Sequence, residues 1–362
     1  MVISLILLSL LLISFYKPTS VFIRILLMLV VYSFFTLSVD ESDFPTYMSL
    51  YDSIGTNGTT GYELLYEWLE KICNKNGLEF IQFRFVTAAI TILTLDIAIG
   101  GITKARNIVW VLYLVFSALF DSIPIRSSIS LGFGAIALVY LIRGGKYNYI
   151  ISFVLIVVAA LFHSSYWAFL GFLPLWYIVN KKGLGFTLAA IMIGYVVMVT
   201  AGSLIFDVYS SLSVREATVD KYSTGSYSNI TGVIVNTVKY LFVISPTYII
   251  YKYKLAGYQK SGVLIPEVKI KNIFYLNVIF SFLLIPQFFS ILIERLFHGL
   301  IVFNYVVMAN YFVASKKKPF AFIFAVLYAL INLAFFMFFQ FPNTYEIVFL
   351  MHFQTNPIWS NL

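Results

Sequence analysis

Charge is the scarcest commodity in this chain. Of 362 residues, 11% are charged and 60% hydrophobic, where a soluble domain carries about 25% charged residues. That deficit excludes a soluble globular protein of this length. Cysteine is nearly absent as well: Cys73 stands alone, so no intrachain disulfide can form, and an apolar-packed thiol is its default role. There is no Walker A loop, no Gly-rich dinucleotide turn after a strand, no HExxH and no CxxC pair. His163, His298 and His352 are too scattered to make a metal cluster by spacing. No metal cage and no cofactor are therefore expected. The one sizeable loop on the basic side, 252–270, is too short for a nucleotide-binding domain.

What is present is a recurring apolar run near the roughly 20 residues a bilayer requires. Candidate spans cover 2–16, 21–38, 80–103, 106–123, 126–143, 148–163, 165–180, 184–207, 231–251, 271–293, 296–314 and 319–341. The expectation is an all-α polytopic membrane protein of about twelve transmembrane helices, with residues 1–362 forming a single integral-membrane domain. The first run, Val2–Tyr16, lacks a basic leader and a small-residue cleavage site, and reads as a retained span.

Charge sorts the loops. Lys17 with Arg24, Lys104 with Arg106, Arg143 with Lys146, Lys181 with Lys182, the set Lys252 to Lys271, and Lys316 to Lys318 fall in alternate loops. The positive-inside rule makes these cytoplasmic. Nearly all carboxylates lie in the loops between them, so both termini are expected outside. The net charge of +8 is then a topology signal with an attraction to anionic lipids, and it does not point to nucleic acid.

The polar mass lies on the outer side: 39–79, 208–230 and the tail 342–362. In the first of these, Ser42 or Asp43 can cap a helix with Pro45 in its first turn. Asn57-Gly58 marks a turn, and Thr60-Gly61-Tyr62-Glu63 reads as a capping box opening a second helix. Tyr47, Leu50, Tyr51 and Ile54 share one helical face, as do Leu64, Leu65, Trp68, Leu69 and Ile72. Both helices are expected to be amphipathic and interfacial.

Arg126 opens a span, and such an arginine is costly unless something anionic meets it. It lies eighteen residues before Gly144, and His163 lies eighteen after Gly145. A rise of about 1.5 Å per residue then returns both side chains to one depth if Gly144-Gly145 is the hairpin turn. Glu294, Arg295 and His298, with Arg215 in the loop 208–230, are further outer candidates. Arginines of this kind suit diphosphate oxygens and a departing pyrophosphate, with His163 or a nearby carboxylate as general base. Other roles stay open. Arg84 and Arg215 can snorkel to lipid phosphate, His163 can be satisfied by Ser164 or Ser165, Asp43 can be a helix cap only, and Asp96 can pair with a buried partner or be part of an ion path, although the sequence names no obvious partner.

The order Asp43 with Tyr47 and Tyr51, then Gly61-Tyr62-Glu63-Leu64-Leu65, then Ile125-Arg126, then Phe162-His163-Ser164-Ser165 resembles the EpsG family. The resemblance runs over roughly 30–180 and continues to Arg295. In that family the Arg is commonly followed by Gln; here Ser127 stands, so the Arg role carries over and a Gln contact does not. The resemblance implies a Wzy-like polymerase of O-antigen, capsule or exopolysaccharide on the outer side of the bacterial inner membrane. Such an enzyme moves a growing glycan from undecaprenyl pyrophosphate to another lipid-linked repeat unit. It also implies GT-C-like architecture, an acidic base in the first outer loop (Asp43), and a chain-length regulator as partner. On this view Arg126, Arg295, His163 and Asp43 are catalytic, while Tyr47, Tyr62, Glu63, Ser127, Ser164, Arg215, Glu294 and His298 contact substrate. Two other classes are a lipid-linked glycan flippase, which calls for polar residues deep along a pathway, and a membrane O-acyltransferase, which calls for a deep catalytic His.

Overall fold

The computed structural model describes residues 2–37, 43–194, 196–197, 230–253, 267–284 and 296–335, all in helices and their connections. The helices are α1 (Val2–Tyr16), α2 (Val21–Leu37), α3 (Phe44–Asn57), α4 (Leu64–Lys75), α5 (Phe80–Ile102), α6 (Arg106–Val115), α7 (Ser117–Asp121), α8 (Ile125–Arg143), α9 (Lys146–Phe162) and α10 (Phe172–Lys182). There follow α11 (Leu184–Gly194), then α12 (Ile230–Lys252), α13 (Glu267–Phe280), α14 (Leu296–Ala314) and α15 (Lys318–Phe335). Four of these, α5, α8, α14 and α15, are long and apolar enough to cross a membrane among the described residues. Among the described residues each of the twelve expected runs carries helix, and several of the helices described are shorter than a full span.

Two runs depart from expectation. The run 106–123 is not one helix: it breaks at Phe116 (φ −126°, ψ −65°) into α6 and α7. In a straight helix Tyr113 and Asp121 would stand about 12 Å apart along the axis; the break brings the Tyr113 hydroxyl within 2.8 Å of the Asp121 carboxylate. A buried carboxylate needs such a donor. The run 165–180 begins as a 3₁₀ segment, Ser164–Gly171, before α10. There His163 leaves helical geometry (φ −154°, ψ 119°) and its Nδ1 accepts the Ser165 N–H.

At the centre stands α14, buried on every face from Leu296 to Tyr311, as a helix apolar all round must be. Its polar residues tie it to its neighbours. Asn304 donates from Nδ2 to the Val243 carbonyl (2.9 Å), and its Oδ1 accepts Thr247 Oγ1 (2.8 Å) and Asn277 Nδ2 (2.9 Å). Pro246 inside α12 lacks the N–H that would meet the Phe242 carbonyl, which accepts Ser245 Oγ (3.1 Å) instead. At the N-terminal side α8 packs between α5 and α9. A Cβ on Gly132 would collide with the Thr94 side chain, so glycine there is what lets α8 approach α5 so closely. The hairpin Gly144-Gly145 is present between α8 and α9, with φ 70° and 93°, as expected from sequence.

The segment between α2 and α5 holds α3 and α4, with two corrections. The Tyr47, Tyr51 and Ile54 face of α3, expected in the membrane interface, is buried against Tyr66, Phe80, Phe83, Ile125 and Ile129. Rings supply large apolar area, and the nearest taker is the protein itself. The Thr60 capping box does not form either. Glu63 occupies the N-cap position of α4 without capping it, and Thr60 Oγ1 donates to Glu70 Oε2 (2.9 Å). The capping box that does form is Glu79 with Gln82, opening α5. Gly58 ends α3 in the left-handed region (φ 69°), as Asn57-Gly58 foretold.

Candidate active site

The site grows from a loop. Glu67 Oε2 accepts the Thr59 hydroxyl (2.7 Å) and the backbone N–H groups of Thr60 (3.3 Å) and Gly61 (3.1 Å). Three donors on one carboxylate close the loop 58–63 tightly, with Gly61 at φ 66°, a conformation few other residues adopt. The loop then delivers Tyr62 and Glu63 to the first turn of α8.

There Glu63 Oε2 accepts Arg126 Nη1 at 2.5 Å, while its Oε1 accepts the Ser164 N–H at 3.0 Å. One carboxylate thus ties the loop 58–63, the start of α8 and the end of α9 together. Burial alone would push the Glu63 carboxyl up; the Arg126 guanidinium, His163 and the Ser164 N–H outweigh it and hold it below its ordinary value. Arg126 Nε donates to the Tyr47 hydroxyl at 3.4 Å. The guanidinium lies 4.0 Å from the Tyr62 ring centroid and 5.9 Å from that of Tyr47, a cation–π cradle. Guanidinium has five N–H donors; Glu63 and Tyr47 engage Nη1 and Nε, which leaves three for an incoming anion. Arg126 and Glu63 keep 19% and 18% of their side chains exposed, so the pair is reachable.

The EpsG family pattern matches residues 18–351. The chain belongs to the EpsG family. Neither a curated protein nor a solved structure matches it. Membership and the apolar helices together make it a membrane protein with an exopolysaccharide, Wzy-like polymerase role.

In this EpsG protein Arg126, His163, Glu63, Tyr47, Tyr62 and Ser164 converge, and His163 is close enough to Glu63 to act on its charge. The hairpin symmetry that paired Arg126 with His163 is therefore met, with Glu63 as the link. Because His163 Nδ1 accepts a backbone N–H (3.2 Å) and lies 2.8 Å from Ser165 Oγ, the ring proton of the neutral imidazole sits on Nε2. In that tautomer Nε2 is the donor. Asp43 precedes α3 one helical turn before Tyr47, and its side chain makes no cap bond.

Other expectations fall elsewhere. Ser127 is buried and meets Tyr166. His298 is buried with Asp121, Nδ1 to Oδ1 2.6 Å, and does not join the Arg126 cluster. Arg84 is 1% exposed, donates from Nη2 to the Phe35 carbonyl (2.9 Å) and lies over the Phe44 ring; it fastens α2 and α3 to α5, which excludes snorkelling. Arg215, Glu294 and Arg295 lie outside the described residues, as do Asp40 and Ser42. Asp96 has the partners its sequence context did not name: Arg106 Nη1 (2.8 Å), Trp110 Nε1 (3.0 Å) and Arg24 Nε (3.8 Å). Two guanidiniums on one carboxylate make a static anchor, which argues against an ion path there. The Asp121 cluster was missed from sequence, although a carboxylate inside an apolar run was its signal.

Proposed function

We propose that this protein polymerises lipid-linked oligosaccharide repeats, moving a growing glycan from undecaprenyl pyrophosphate to the non-reducing end of another lipid-linked repeat unit. The single observation that carries this is the Arg126 guanidinium, held by Glu63 and Tyr62 with unspent donors toward solvent. The acceptor hydroxyl oxygen attacks the anomeric carbon. The bond from that carbon to the pyrophosphate oxygen breaks, and its electron pair leaves with the pyrophosphate. Arg126, joined by Arg295, meets the growing negative charge, which is where preorganised donors accelerate group transfer most. The hydroxyl proton passes to the Asp43 carboxylate. His163 donates from Nε2 to a sugar or phosphate oxygen, and Tyr47 and Tyr62 face the sugar ring.

The same proposal sets the site on the outer face of the bacterial inner membrane, with about twelve spans in GT-C-like order and both termini outside. Its partners are undecaprenyl-pyrophosphate repeat units, membrane lipids and a chain-length regulator, with no cofactor. No sizeable basic-side loop can carry a nucleotide site, which fits a reaction driven by the pyrophosphate leaving group. The test is Arg126→Ala and Arg126→Lys, with cell-envelope glycan run on a gel. Long polymer should vanish while single repeat units accumulate, and Lys should rescue poorly because it lacks the planar fork. Unchanged polymer at normal protein level sinks the assignment.

A further inference from the structure

Asp121 lies five residues before Arg126 and takes no part in the outer pair. The turn between α7 and α8 contains Pro124, which supplies no backbone N–H. Backbone bonds remain on either side of it, Ile125 N–H to the Ile123 carbonyl (3.1 Å) and Ser128 N–H to the Pro124 carbonyl (3.0 Å), and side chains add to them. Asp121 Oδ2 accepts the Tyr113 hydroxyl from α6 (2.8 Å), and Oδ1 lies 2.6 Å from His298 Nδ1 on α14. The Asp121 backbone carbonyl accepts Ser128 Oγ from the first turn of α8. Asp121 Oδ1 and His298 Nδ1 thus share one hydrogen bond. Both side chains are 6% exposed, and water does not loosen the pair. Tyr166, fully buried, feels the Asp121 charge and belongs to the 3₁₀ segment whose first residue, Ser164, holds Glu63.

Three elements therefore converge on the turn that launches α8, and the direction of that first turn decides where the Arg126 guanidinium points. We propose that Asp121 and His298 are positioning residues for Arg126. They set its approach to Glu63. This rests on the assignment of Arg126 to the donor pyrophosphate.

The experiment measures binding of a short-chain polyprenyl pyrophosphate to purified full-length protein in detergent. The variants are Asp121→Asn, His298→Asn, His298→Gln, Arg126→Ala and the double variant D121N/R126A. Asn at 298 keeps an N–H near the Nδ1 position, while Gln moves it outward. D121N and H298Q are expected to weaken binding about tenfold, and H298N to stay within about threefold. In the R126A background D121N is expected to add less than about twofold, since a residue acting through Arg126 has nothing left to position. Wild-type binding by D121N and H298Q, with R126A weakened, overturns the proposal and leaves the Arg126 assignment standing. An equal D121N loss in both backgrounds, or equal loss in H298N and H298Q, also overturns it, as a general packing defect. Binding by R126A like wild type overturns the Arg126 assignment and this proposal with it. If D121N does not fold, the contrast between H298N and H298Q decides.

Discussion

Two carboxylates flank the first turn of α8, and they are used differently. Glu63 meets Arg126 with 18–19% of each side chain exposed. Asp121 meets His298 with 6% of each exposed. The outer pair sits between two tyrosine rings, with donors left over. The inner pair is enclosed by Phe116 and Phe120, whose rings pack edge-on to His298, and its carboxylate oxygens are both engaged. An acid paired with a base is the same motif in both. Wetness separates them: a reachable pair can exchange one partner for a ligand, whereas a dry pair that loses a partner leaves an uncompensated buried group. Activity is thus expected to depend most on the outer pair and stability on the inner one.

That contrast can be broken in several ways. The largest effect is expected from Arg126→Ala, about 100-fold or more in polymerisation rate with lipid-linked repeat as sole substrate, the scale of losing one transition-state donor. Its stability loss should be similar to that of Glu63→Gln, about 1–2 kcal/mol, because the same pair is broken. Next comes His298→Ala, which should cost about 3–5 kcal/mol of stability by stranding a buried carboxylate. Glu63→Gln should cost about 1–2 kcal/mol. Thermal unfolding of the two in detergent checks the order, and a larger loss in E63Q than in H298A would reverse the comparison.

His163→Ala should lower polymerisation about tenfold while His163→Gln stays within about threefold, because Gln keeps a donor near the Nε2 position. Equal loss in both would make His163 a base after all.

Acid sharpens the contrast further. The Glu63 carboxyl titrates below its ordinary 4.5 in the fold, so the unfolded chain takes up its proton first as pH falls. The stabilisation from Glu63 is full above about pH 4.5 and lost as pH drops through the depressed value. The melting-temperature gap between wild type and E63Q should therefore narrow below that pH; a constant gap from neutral to acid would show that the Arg126 pairing does not depend on the Glu63 charge. Smallest is Tyr62→Leu, expected to weaken pyrophosphate binding a few-fold, on the order of the 0.5–1 kcal/mol of a cation–π contact. An effect as large as that of R126A would show that Tyr62 holds the pyrophosphate itself and does more than cradle Arg126.

Helix positions were readable because the bilayer's demand is local: apolar length and backbone self-satisfaction appear residue by residue along the chain. Gly58 and the Gly144-Gly145 hairpin were readable for a similar reason, since a left-handed backbone asks for glycine wherever it occurs. The convergence of Arg126 and His163 was half legible. Their equal distance from the hairpin put them at one depth, but nothing in 126–163 could say that Glu63, a hundred residues from Ser164, would bridge them. The misreadings share a cause. Thr60 matched a capping box, yet Glu63 had a stronger partner in Arg126, and a charge-assisted bond outcompetes a cap. Arg84 read as a snorkelling end because its acceptor, the Phe35 carbonyl, comes from another helix.

By itself, then, the sequence determined that this is a helical membrane protein of the EpsG family, that its basic residues recur in alternate loops, and that Arg126 needs an anion. Those follow from composition, period and sign of charge, which need no partner in space. Only the tertiary structure decided which anion Arg126 meets within the protein, that Tyr62 roofs it, that His163 presents a donor, and that Asp121 and His298 close a second pair behind the same turn. Each of those depends on groups far apart in the chain meeting within 4 Å, where charge and hydrogen bonding act, and that distance is set by packing alone.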